Sequence, residues 1–169
     1  MAALQISRKV DYALRALIYL ASHDGEPGCT LGDIAVHTAV SRQFLAKIIE
    51  ELTRRGLVRS RRGPRGGYVL GRRLTELSFY DVIEAMEGPI ALNKCAGRRG
   101  DCARSPRCGM TSVWQEAQRR LVEVLAKTTL ADTEGHCDPA SDGRSVAGPY
   151  PLVAIRSPEG SGPPGPACS

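Results

Sequence analysis

The chain has 169 residues and 42% hydrophobic content, enough for one domain with a real core and additional segments, which excludes a wholly disordered protein. Its 23 Lys and Arg against 18 Asp and Glu give a net charge of +5, a balance that suits a phosphate-bearing partner. The most apolar run, residues 13–21, is broken by Arg15 and is too short to span a membrane, and the first residues lack a signal-peptide core. In a chain thus expected in the cytoplasm, six cysteines point to metal or redox chemistry rather than to disulfides.

Ser7 is placed to cap a first helix running to about Ser22. Val10, Ala13, Leu14, Leu17, Ile18 and Ala21 form its expected apolar face. A turn follows at 23–28. Thr30 with Asp33 three residues on predicts a capping box and a short second helix ending near Thr38. Ser41 caps a third helix to about Arg55, with Phe44, Leu45, Ile48, Ile49 and Leu52 expected inside and Gly56 as its stop. Two short helices about a tight turn make a helix-turn-helix. Arg42, Gln43 and Lys47 then face the major groove of double-stranded DNA; Arg and Lys suit the acceptor edge of guanine, and Gln suits adenine.

Residues 57–60 and 68–71 flank a glycine-rich stretch and predict a β-hairpin, the wing of a winged helix. From Arg54 to Arg73 there are eight arginines and no acid. A solvated charged face is the plainer reading, but this concentration favours phosphate contact. Arg59, Arg61, Arg62 and Arg65 are the wing candidates, with Gly66 and Gly67 permitting close approach.

Ser78 caps a helix from Phe79 to Glu87, stopped by Gly88-Pro89. Next come Cys95, Cys102 and Cys108, separated by six and then five residues in a loop broken by Gly97, Gly100 and Pro106. Lys94, Arg98, Arg99, Arg104 and Arg107 put positive charge around the thiols, and the thiolate is the metal-binding form. Thr111 is expected to cap a longer helix to about Leu130. Trp114, Ala117, Leu121, Val124 and Thr128 recur along it at three- and four-residue steps, which favours pairing with a second copy. Beyond Thr133, proline, glycine and serine predict a disordered tail. Cys29, Cys137 and Cys168 read as ordinary thiols. The expected organisation is a winged helix-turn-helix over 1–90, a cysteine loop over 91–110, a dimerisation helix over 111–132 and a tail over 133–169. The fold class is mainly α with a small β-hairpin wing.

This order of parts resembles the Rrf-two family of bacterial winged-helix regulators, with its IscR and NsrR types. The resemblance covers about residues 3–132. It rests on Asp11-Tyr-Ala-Leu-Arg15, on Arg62-Gly-Pro-Arg-Gly-Gly-Tyr68, and on Cys95, Cys102 and Cys108 followed by Trp114. It implies a homodimeric transcription regulator of a DNA operator, here expected to be a repressor. It also implies an iron–sulfur cluster, 2Fe–2S or 4Fe–4S, on the three cysteines with one non-cysteine ligand. Thr111 stands where IscR-type members carry a histidine, and Asp11 matches the carboxylate that NsrR-type members supply from the partner chain. Iron–sulfur, nitric oxide or redox status would be the signal. Two other readings stand beside it: a winged-helix regulator switched by zinc or thiol oxidation, and a small electron-transfer protein, for which the arginine-rich wing has no use. No hydrolase or transferase motif is present, so the chain is not read as an enzyme.

Overall fold

The computed structural model describes residues 6–23, 28–63, 66–97, 102–104 and 107–133. Arg65, Arg98, Arg99, Gly100, Pro106 and the tail with Cys137 and Cys168 lie outside them. Residues Met1–Cys137 belong to one compact unit, and Asp138–Ser169 are assigned to a second that lies wholly outside the described residues.

The described elements are α1 (Arg8–Ser22), α2 (Leu31–Thr38), α3 (Arg42–Arg54), β1 (Val58–Arg61), β2 (Gly67–Leu70), α4 (Phe79–Glu87) and α5 (Thr111–Lys127). Short 3-10 turns lie at Leu74–Glu76 and Leu130–Thr133. This is the mainly helical, winged fold expected. Four of the helices start on a polar side chain. Ser7 Oγ accepts from the Val10 N–H, and Ser41 Oγ accepts from the Phe44 N–H, both at 3.4 Å. Thr30–Asp33 and Ser78–Asp81 are full capping boxes, in which each partner satisfies a backbone donor the helix cannot use.

Helix α1 runs through the middle of the domain, against α2, α3, α4 and β2. Its fully buried residues are Val10, Ala13, Ala16, Leu17 and Leu20. Leu14, Ile18 and Ala21, expected on the core stripe, are only half-buried; Ala16 and Leu20 take their place, because a helix packed on several sides buries more than one stripe. Leu45, Ile48, Ile49 and Leu52 of α3 meet this core as expected. Phe44 does not: it is 40% exposed and touches the Tyr12 ring edge-on at a centroid distance of 6.0 Å. Its place in the first turn of α3 leaves α1 covering only one side.

The wing is one antiparallel pair in the register Val58↔Leu70 to Arg61↔Gly67. A single residue extends it: Cys29 donates its N–H to the Tyr68 carbonyl at 3.1 Å and accepts from the Tyr68 N–H at 2.8 Å. That bridge buries the Cys29 thiol, and burial raises its pKa, which fits the ordinary thiol expected.

Two expectations for α5 need correction. Thr111 is the first helical residue and not the cap; Met110 holds the capping position and offers no side-chain hydrogen bond. The helix ends at Lys127, not near Leu130, because Thr128 turns extended and the chain pairs with the segment before α4. The Phe79 N–H donates to the Thr128 carbonyl at 3.0 Å, and the Leu130 N–H donates to the Leu77 carbonyl at 2.8 Å. Leu130 enters the core from that bridge, fully buried.

Candidate nucleic-acid interface and thiol segment

Helices α2 and α3 meet at a sharp turn through Ala39, which sits in the left-handed region at φ 54°. Arg42, Gln43 and Lys47 are all exposed on the first turns of α3, as a groove-reading surface requires. Arg42 leans back over α2: a Cβ placed on Gly32 would meet its Nη2 at 3.0 Å. Beneath it, hydrogen bonds from the Thr30 side chain and backbone hold the Asp33 carboxyl below its ordinary value, with Arg42 and His23 adding positive charge. In the same hollow, the Tyr19 ring lies against two imidazoles, 4.2 Å from His23 and 4.4 Å from His37.

In the wing, Arg59, Arg61 and Arg62 are exposed, and Arg59 donates from Nη2 to the Gly71 carbonyl at 2.7 Å across the base of the hairpin. Gly67 has a steric duty within the chain: a Cβ there would lie 2.7 Å from the Cys29 carbonyl oxygen. Gly66 is similarly crowded by the Arg61 carbonyl. The arginine run is not free of acid in three dimensions. Glu51, one turn before it on α3, pairs with both Arg54 and Arg55, so the two helix arginines are partly neutralised while those of the wing project outward.

Cys95, Cys102 and Cys108 are unbridged, half-buried thiols. Cys95 lies in a turn closed by the Asn93 carbonyl, which accepts from Ala96 at 3.0 Å and Gly97 at 3.1 Å. Gln118 of α5 holds that turn: its Oε1 accepts from the Leu92 N–H at 3.0 Å, and its Nε2 donates to the Ala96 carbonyl at 2.6 Å. Gln115 Nε2 donates to the Cys95 carbonyl at 3.5 Å, and the Thr111 N–H to the Cys108 carbonyl at 3.1 Å. Nothing in the sequence marked these glutamines, since two amides on a polar helix face carry no motif. Asp11 lies in the first turn of α1, half-exposed and ion-paired with Arg15 at 3.1 Å. The donor set suits a thiophilic metal: three reduced sulfurs within one short segment. Their arrangement is not a finished site, because among the described residues no three His, Cys, Asp or Glu side chains converge.

Helix α5 turns apolar side chains outward. Val113 is 65% exposed and Trp114 37%. Beside it, an apolar groove of about 420 Å³ opens among Ile6, Ile83, Pro89, Ile90, Leu121 and Leu125. Among the described residues no helix is long and apolar enough to cross a membrane.

Residues 6–133 match the Rrf2 family, described as "Iron-dependent Transcriptional regulator". A Mycobacterium tuberculosis (strain ATCC 25618 / H37Rv) protein named among the HTH-type transcriptional regulators is 38% identical over 133 residues, covering 78% of this chain and 82% of that one. The HTH-type transcriptional regulator IscR of Serratia proteamaculans (strain 568) is 31% identical over 135 residues, covering 80% and 82%. Among solved structures, CymR, the global cysteine regulator of B. subtilis, superposes with a TM-score of 0.65 at 34% identity, covering 80% of this chain and 100% of that one. IscR of T. potens gives 0.65 at 30% identity, covering 85% and 95%.

Proposed function

We infer the function from one premise: this chain belongs to the Rrf2 family of transcriptional regulators, DNA-binding proteins that are not enzymes. We propose that it acts as a homodimer on an operator, as a repressor, and that its DNA affinity follows the state of an iron–sulfur cluster. Cys95, Cys102 and Cys108 would hold the cluster, with Asp11 of the second chain as the fourth ligand. When bound, the cluster supplies redox and nitric-oxide reactivity that thiols alone lack. The residues of this chain do the rest. The thiol segment orders around its ligand, α5 carries that order to the other copy, and α3 and the wing hold the DNA. Arg42, Gln43 and Lys47 contact base edges; Arg59, Arg61, Arg62 and Arg65 contact phosphate or the minor groove.

One observation carries this reading. The three reduced thiols sit in a segment bonded at both ends to α5, and α5 leaves apolar side chains uncovered. Among the described residues no three donors converge, so the thiol segment would have to close around its ligand, with a donor from the second chain completing the site. The likeness to a cysteine regulator favours a second reading, a switch by zinc or thiol oxidation without an iron–sulfur cluster. An absorption spectrum of protein purified without oxygen, with iron and sulfide assayed on the same sample, separates the two. Visible charge-transfer bands with matching iron and sulfide are expected. A colourless protein after reconstitution would overturn the cluster and leave the DNA-binding regulator standing.

A further inference from the structure

We propose that Gln118 is a positioning residue that fixes where the Cys95 thiol stands on α5. The inference rests on the reading of α5 as the dimer helix and of Cys95 as a ligand. A primary amide carries an acceptor and a donor on neighbouring atoms. Gln118 uses them on the two sides of one turn, accepting from Leu92 at 3.0 Å and donating to Ala96 at 2.6 Å. One side chain thereby sets the separation of two backbone groups that flank Cys95.

The turn between them is stiff in its own right. Asn93 accepts at its carbonyl from Ala96 and Gly97, and its Oδ1 accepts from the Lys94 N–H at 2.7 Å. Ala96 is buried, so the turn is seated and cannot slide along α5 without exposing it. Gln115, three residues earlier on the same helix face, adds its contact to the Cys95 carbonyl. Cys108 is bonded at the opposite end through Thr111. Two of the three thiols are therefore keyed through their peptide groups to the first half of α5. Cys102 has no described bond of this kind and is the thiol left to adjust. A shift of the Cys95 turn has to move α5 or break the Gln118 bonds. That makes this amide the link by which a change at the thiols reaches the partner chain.

The test uses the metal-free full chain, wild type beside Gln118→Met and Gln118→Glu. Methionine matches the size of glutamine without its hydrogen bonds; glutamate keeps the acceptor for Leu92 but sets a carboxylate oxygen against the Ala96 carbonyl. Alkylation by iodoacetamide is followed at Cys95 and Cys102 in the same molecules by mass spectrometry. Losing both hydrogen bonds in the methionine variant, or exchanging one of them for carboxylate–carbonyl repulsion in the glutamate variant, should raise the Cys95 rate by about fivefold, with the Cys102 rate unchanged. An unchanged Cys95 rate, or an equal rise at Cys102, overturns the proposal. On protein reconstituted with iron and sulfide, both variants should lose iron to a chelator several times faster than wild type, and equal loss rates would also count against the proposal. Should wild type take up no iron, the cluster reading falls, and the ratio of the two alkylation rates still decides the role of Gln118.

Discussion

Gln43 and Arg62 are both exposed polar residues on the DNA-reading half, yet their chemistry asks different questions of a duplex. An amide pairs with the edge of adenine, so Gln43→Ala should lose about 1–3 kcal/mol of discrimination at one base pair. Binding selection from randomised operators reads this as relaxed preference at that position. A guanidinium on the wing meets phosphate, so Arg62→Ala should weaken specific and random DNA alike and reduce the salt slope by about 1. Equal losses of both kinds from both variants would contradict the division. On α5, Glu116 accepts from Arg119 and then Arg120, which lowers its carboxyl from 4.5 to about 2. A depressed carboxylate stabilises the fold above its ordinary range, and that contribution disappears as pH falls from there towards 2. Carbon-detected NMR titration should find the Glu116 midpoint well below the ordinary glutamate value, and Arg119→Ala should bring it back up.

Among the elements, the caps were the part most readable beforehand. Ser7, Thr30, Ser41 and Ser78 each do what a hydroxyl before an apolar period announces. Ser78→Ala should cost about 1 kcal/mol in a denaturant titration, as loss of a helix cap usually does. It breaks contacts to both the backbone and the side chain of Asp81. What misled was tertiary context. Periodicity shows that a helix is amphipathic but not how many neighbours it has, so it misses Ala16 and Leu20 as core residues and puts Phe44 inside. It is also blind to a strand-like bridge, and so carries α5 past its end at Lys127. In the sequence Gly67 reads as room for DNA, whereas the crowding visible in the chain is with Cys29. Gly67→Ala should lower stability by about 1–3 kcal/mol through that clash, measured as a shift in the denaturant midpoint. The same holds for the thiols: their spacing pointed to the residues, while the amides that hold them come from a helix twenty residues on and leave no mark in the local pattern.

For the whole molecule, the proposed function gives the basic half and the exposed α5 face different partners, DNA and a second copy. Trp114→Glu should shift sedimentation from dimer towards monomer and weaken operator binding, while leaving the fold of the single chain intact. A variant that remained dimeric would remove Trp114 from the interface. The far end of α5 behaves differently from the thiol end. Leu77–Phe79 and Thr128–Leu130 are stitched together by backbone hydrogen bonds, and Leu130 is fully buried beneath them. That stitch would be the pivot of any swing of α5. The helix between it and the thiols has 17 residues, about 25 Å at the usual rise per residue. A displacement of about 2 Å at the Cys108 end swings such an arm through about 5°. On the proposed function, a swing about that stitch would act on the segment leading to α4, and through it on the body that carries α3.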